Sequence, residues 1–139
     1  MIKTILISGL CLCFFGCNTM SNKREIRFTY SKGIATPTKI YTHAEPADLV
    51  EDLGVFVERL DPRRNKRPGG SNDYSRRWRA LKPGVVTVWY KELDIGYDAS
   101  KLTKEFEPAA CYVIDENLHV RYSKEETEAA RERFKRRRR

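Results

Sequence analysis

Two histidines, His43 and His119, and four cysteines are the residues of this 139-residue chain best suited to metal or nucleophilic chemistry. Neither histidine has a second His, Cys or carboxylate at metal-ligand spacing, so no metal is expected. Neither Gly-x-Ser-x-Gly nor the phosphate-cradling Gly-x-x-x-x-Gly-Lys occurs. Ser75 could form a nucleophilic triad only with a histidine and an acid from distant segments. Glu105 and Glu107 flank Phe106 and would share a strand face, an ordinary setting for solvated acids. The sequence therefore predicts no catalytic residue, no cofactor and no enzymatic activity.

Recognition chemistry is better represented. Tyr74-Ser75-Arg76-Arg77-Trp78-Arg79 interleaves cations with aromatic rings. Such rings can stack single-stranded nucleic acid, and Arg, Tyr and Trp are also the residues enriched at protein-binding hot spots. Core packing is the competing role for Trp78. Just upstream, Asp61 to Asp73 (DPRRNKRPGGSND) reads as a long loop carrying Arg63, Arg64 and Arg67; long loops of this composition are often functional. Arg76, Arg77, Trp78 and Arg79, with Arg63, Arg64 and Arg67, are the expected partner-binding surface.

The chain carries 27 Lys and Arg against 19 Asp and Glu. The excess is concentrated in two segments, residues 62–82 and residues 131–139, where seven of nine residues are basic. The remainder is net acidic. Two basic patches on an acidic body suit a partner with an acidic surface.

The elements that must position these residues read mainly as strands. Ile26, Phe28 and Tyr30 alternate with polar neighbours, as a half-buried strand requires. Gly54 to Leu60 is a second strand. Pro37 confines any strand near it to an edge or a strand start. Ala47 to Asp52 could form one helical turn. Lys82-Pro83-Gly84-Val85 suits a type II turn, leading into Val85 to Tyr90, apolar on both faces and hence expected at the centre of the core. Asp94 to Lys104 reads as loop. Ala109–Ile114 and Leu118–Tyr122 form a hairpin around Asp115-Glu116-Asn117. Cys111 lies in an apolar run and is expected to be buried and inert. Ser123 and Glu126 make a capping box for a helix whose Ala130 and Phe134 can dock on the body, with the last arginines frayed. The expected fold is a small antiparallel β-sandwich, immunoglobulin-like or related, with a short C-terminal helix.

The N-terminus supplies a location. Lys3 precedes an apolar run, Ile5 to Phe15, about half the ~20 residues that a membrane span needs and the length of a signal-peptide core. The run ends in Phe14-Phe15-Gly16-Cys17. This resembles the lipobox of bacterial lipoproteins, in which a small residue precedes a Cys that becomes acylated. Residues 1–16 are then a signal peptide, Cys17 the lipidation site, 17–23 a lipidated tether, 24–123 a β domain, and 124–139 a capped helix with a polybasic tail. By the same resemblance, Asn18 implies an outer-membrane anchor, with the body facing the periplasm. Once the signal peptide and Cys17 are set aside, Cys111 has no partner for a disulfide.

Residues 53–122 resemble a family of uncharacterised proteobacterial lipoproteins known as a domain of unknown function. The likeness runs through Leu53-Gly54-Val55-Phe56-Val57, Gly69-Gly70, Trp78, Pro83-Gly84, the strand Val86, Val88, Tyr90, and Leu118-His119-Val120-Arg121-Tyr122. The family's adjacent cysteines are replaced here by Tyr74 and Ser75, so its disulfide has no counterpart. Members often resemble lipoproteins encoded beside type VI secretion effectors, which implies an immunity role against a secreted toxin. The expectation is thus a membrane-anchored protein-binding module, with no nucleic-acid partner in the periplasm. The alternative is a structural envelope lipoprotein contacting an assembly, anionic lipid or peptidoglycan. For either, Arg136, Arg137, Arg138 and Arg139 are expected to touch the membrane or an acidic partner.

Overall fold

The computed structural model describes residues 23–33, 38–62, 70–94 and 105–139. The expected signal peptide, Cys17, most of the tether, Pro37, Arg63, Arg64, Arg67 and the loop 95–104 lie outside the described residues.

Among the described residues, seven strands and one helix follow in order: β1 Glu25–Gly33, β2 Thr38–Glu45, β3 Val50–Arg59, β4 Ser71–Ala80, β5 Gly84–Asp94, β6 Glu107–Ile114, β7 Val120–Tyr122 and α1 Lys124–Arg137. A 3-10 turn, Ala47–Leu49, leads into β3. One sheet has the order β1-β4-β3 and the other β2-β5-β6-β7, with every pairing antiparallel. The alternation in β1 is realised, with Ile26 fully buried and Arg27 exposed.

The two sheets face each other over one core. Ile26, Val50, Trp78 and Ala80 come from the first; Ala44, Val86, Val88 and Ile114 come from the second. Phe28 and Tyr90 meet edge-on across the gap at 6.0 Å. β5 is internal in its sheet, as its apolar composition requires, but only Val86 and Val88 are fully buried, and Val85 is exposed. Taking β1 to β6 as strands B to G, the orders 1-4-3 and 2-5-6 are the B-E-D and C-F-G sheets of an immunoglobulin domain. The fold is a small, mainly β, antiparallel sandwich with a C-terminal helix.

Three expected bounds are corrected: Val50 to Asp52, read within a helical turn, open β3, and Asp94, read as loop, closes β5. Ser71, Asn72 and Asp73, read as loop, open β4. α1 runs through Arg137, and Arg138 and Arg139 lie beyond it.

Local chemistry explains the joins. Gly84 takes φ +150°, and a Cβ there would meet Leu49 Cδ1 at 2.7 Å. Leu49 is held close because its carbonyl accepts from Leu81 N at 2.8 Å. Asp115 organises the β6–β7 hairpin: its carboxylate accepts from Asn117 N and His119 N, each at 2.9 Å. Leu118 then takes a left-handed φ of 62°, uncommon for a residue with a Cβ.

Candidate functional site: sheet edges, an ion-paired face and a basic helix end

The Arg–Trp segment is β4, the middle strand of the three-stranded sheet. Its alternation sends Trp78 inward, where it is 2% exposed. Trp78, expected in a partner-binding surface, is therefore corrected to a core residue. Its indole fills the space between the sheets and presents no face to a partner.

The three arginines lie beside acids of the neighbouring strand β3. Arg79 faces Glu51 at 3.5 Å in a pair exposed on both sides. Arg76 makes a two-pronged contact with Asp52, Nε donating to Oδ1 at 3.2 Å. Arg77 Nη2 donates to Glu58 Oε1 at 2.7 Å. Arg27 of β1 reaches the same carboxylate, and Ser75 Oγ also donates to it. Glu58 is thus the hub of the outer face, gathering three donors from two strands. The hydrogen bonds from Arg77, Ser75 and Arg27 together hold its carboxyl down at about 2. Arg76 lowers Asp52 in the same way. Arg76, Arg77 and Arg79 are therefore not the free cations that composition suggests; each is matched to an acid within the fold.

Two irregularities in the β3–β4 register bracket this face, one between Asp52 and Gly54 and one between Val57 and Arg59. The first is a bulge where Gly54 adopts φ +91° and its N–H bonds Asp52 Oδ1 at 2.8 Å. Between them, Val55, Phe56 and Val57 are 51%, 39% and 58% exposed. β3 is an outer strand of its sheet, so these apolar side chains flank an edge left open by the strands of the described residues. Arg77 also lies 4.3 Å above the Phe56 ring. β-Branched and aromatic residues on an open edge are a template for another strand. Sequence reasoning did not single them out, although the run Gly-Val-Phe-Val carries no charge, a departure from the charged edges that native sheets prefer.

The opposite flank is treated differently. Cys111 of β6 takes Ser123 N on its carbonyl at 2.9 Å and gives its own N–H to Thr127 Oγ1 at 2.8 Å. Arg131 Nη2 bonds the Ala109 carbonyl at 2.8 Å. The helix thus satisfies the backbone along the side of β6, and Cys111 is 1% exposed beneath it.

A groove of about 530 Å³ runs between β1 and β6, lined by Phe28, Tyr30, Tyr90, Pro108 and Arg131 among others. Burial, and a hydrogen bond to Glu92, push the Tyr90 phenol up to about 12; burial also raises Tyr30. Both remain neutral hydroxyls at neutral pH. His43 stacks on Trp89 at 6.2 Å and meets Phe106 edge-on at 4.6 Å, so it is packed among rings. Among the described residues no group of three His, Cys, Asp or Glu could hold a metal ion, and no helix is long and apolar enough to cross a membrane.

The tail cations Arg136, Arg137, Arg138 and Arg139 are all exposed at the end of α1. Only Arg138 among them forms ion pairs within the described residues, with Glu105 at 3.8 Å and Glu107 at 3.6 Å.

No family model matches the chain, and neither a curated protein nor a solved structure matches it.

Proposed function

We propose that this chain is a lipid-anchored, periplasm-facing envelope protein whose β-sandwich binds another protein, neutralisation of a delivered toxin being the role suggested by the sequence resemblance. The anchor follows from Gly16-Cys17 behind a short apolar run. The observation that carries binding is the apolar strip Val55-Phe56-Val57 on the open edge of β3. An incoming strand could pair with that backbone and cover the side chains.

The test pairs two variants. Cys17→Ser should abolish acylation and release the protein from the outer-membrane fraction; retention there with no acyl group on the protein would overturn the anchor. Val55→Lys with Val57→Lys places charge on the edge, where it should leave folding intact. It should remove the protein captured by the wild-type chain from envelope extracts. Unchanged capture would overturn the edge as the binding surface.

A further inference from the structure

We infer that the end of α1, carrying Arg133, Arg136, Arg137 and Arg139, is a docking surface for an acidic protein on the side of the domain away from its anchoring membrane. The inference rests on the reading of the chain as a lipid-anchored binding module and adds a second, electrostatic contact to it.

Position comes first. The described chain begins at Lys23, and the Arg24 carbonyl accepts from Ala80 N at 2.8 Å. Ala80 pairs with Val50, Leu49 packs on Gly84, and Gly84 pairs with Ile114. These residues form the end of the sandwich where the N-terminal segment joins. β6 runs toward that end and α1 runs back from it. The helix contacts Cys111 through Ser123, Ala109 through Arg131, and Glu105 and Glu107 through Arg138. Glu107 is level with Tyr90, six strand positions from Gly84, a distance of roughly 20 Å at ~3.3 Å per residue. The basic helix end and the tether attachment lie at opposite ends.

Charge comes second. Arg131 is bonded to a backbone carbonyl, Lys135 faces Glu132 at 3.6 Å, and Arg138 faces Glu105 and Glu107. No ion pair within the described residues involves Arg133, Arg136, Arg137 or Arg139, and all four are exposed. At 100° per residue Arg136 projects opposite Thr127, Ala130 and Phe134, which carry the docked face, and Arg133 projects at its flank; Arg137 follows Ala130 by seven residues on the docked side, and Arg139 lies beyond the helix. The helix dipole favours cations in a last turn, but it does not cancel their outward field. The end near the tether is different: Lys23, Arg24 and Lys82 are mixed with Glu25, Asp48, Asp115 and Glu116. Around the helix end the exposed acids Glu105, Glu107 and Glu132 are matched by Arg138 and Lys135, leaving Arg133, Arg136, Arg137 and Arg139 in excess; this positive excess selects an anionic surface, and its position selects a protein over the anchoring bilayer.

The test uses the full lipidated chain in vesicles of phosphatidylethanolamine and phosphatidylglycerol. Fluorophores are placed through Asp48→Cys at the near end or Glu132→Cys on the helix, with an energy acceptor on the lipid headgroups. Transfer should be stronger from the near end; stronger transfer from the helix would make the membrane the occupant and overturn the proposal. A polyglutamate peptide serves as the acidic-protein probe. Replacing Arg133, Arg136, Arg137 and Arg139 by Gln should weaken its binding by about tenfold or more. Replacing Lys23, Arg24, Lys82 and Arg121 by Gln should leave binding nearly unchanged; equal losses would reduce the effect to bulk charge and overturn the docking surface. Acyl labelling at Cys17 separates the two readings. If Cys17 is not acylated, the anchor fails, while the peptide arm, run in solution, still decides the docking surface.

Discussion

Arg77 Nη2 lies 2.7 Å from Glu58 Oε1 across the register irregularity at Val57 and Arg59. The irregularity brings Glu58 onto the outer face, where Ser75, Arg27 and Arg77 all converge on it. A basic strand flanked by an acidic one is thereby self-neutralised. This is why the charge that dominates the local sequence does not dominate the local surface.

Glu58 should make stability depend on acid. Its folded carboxyl titrates at about 2, against an ordinary value of 4.5. The folded state therefore holds the proton less tightly than the unfolded chain does. The resulting stabilisation is present above about pH 4.5 and is lost as pH falls toward 2. Glu58→Gln should lower stability at pH 7 by about 1.5–3 kcal/mol, the range for hydrogen bonds to charged groups, and flatten the dependence across that window. Urea midpoints at a series of pH values check both statements.

Charge reversal at β4 should act on the fold before it acts on any partner. Arg76→Glu, Arg77→Glu and Arg79→Glu would face Asp52, Glu58 and Glu51. The Arg77 change should cost most because Glu58 is 16% exposed and three donors converge on it. The Arg79 change should cost about 1 kcal/mol or less, as expected for an exposed pair. Thermal melts of the three single variants should rank them in that order.

Trp78→Ala should be the most damaging change in the same segment. The indole is buried between Ile26 of β1 and the opposite sheet, and truncating a core Trp costs about 3–5 kcal/mol. For a one-domain sandwich that is a large share of total stability. The variant should show an unfolding midpoint far below wild type, measured by circular dichroism. A midpoint near wild type would return Trp78 to the surface.

Much of this architecture is legible in the sequence because period-2 alternation and turn chemistry are local signals. Ile26-Arg27-Phe28 marks β1, Pro83-Gly84 marks the start of β5, and Ser123 with Glu126 marks the helix. β4 is not legible in the same way. Its two faces read Tyr74, Arg76, Trp78, Ala80 and Ser75, Arg77, Arg79, so arginine appears on both and the apolar alternation is hidden. The acids that make sense of those arginines lie 19 to 28 residues away on β3. Only the β3–β4 register, including its two irregularities, brings them together. The open edge at Val55-Phe56-Val57 is hidden for a related reason: a strand's neighbours follow from topology, which no local pattern encodes. The capping box is legible only by half. Ser123 Oγ accepts from Glu126 N at 3.2 Å, but the reciprocal arm is absent because Ser123 N–H is bonded to the Cys111 carbonyl.

That tertiary bond makes Thr127 a sharper probe of helix docking than the cap itself. Thr127 is 1% exposed. Its hydroxyl accepts from Cys111 N at 2.8 Å and donates to the Ser123 carbonyl at 2.7 Å, so one side chain joins strand β6 to the first turn of α1. Thr127→Val keeps the shape but leaves the Cys111 N–H buried without its acceptor, at a cost of about 1–3 kcal/mol. Thr127→Ser keeps both bonds and loses one methyl group, so it should cost about 1 kcal/mol. Ser123→Ala removes only the side-chain cap, also about 1 kcal/mol. Thiol labelling supplies the spatial readout, because Cys111 lies under the same turn. In a chain carrying Cys17→Ser, with the signal-peptide cysteines removed, Cys111 should label slowly in wild type and in Thr127→Ser. It should label markedly faster in Thr127→Val as the helix lifts. Equal labelling rates across the series would show that α1 is held by Ala130 and Phe134 alone.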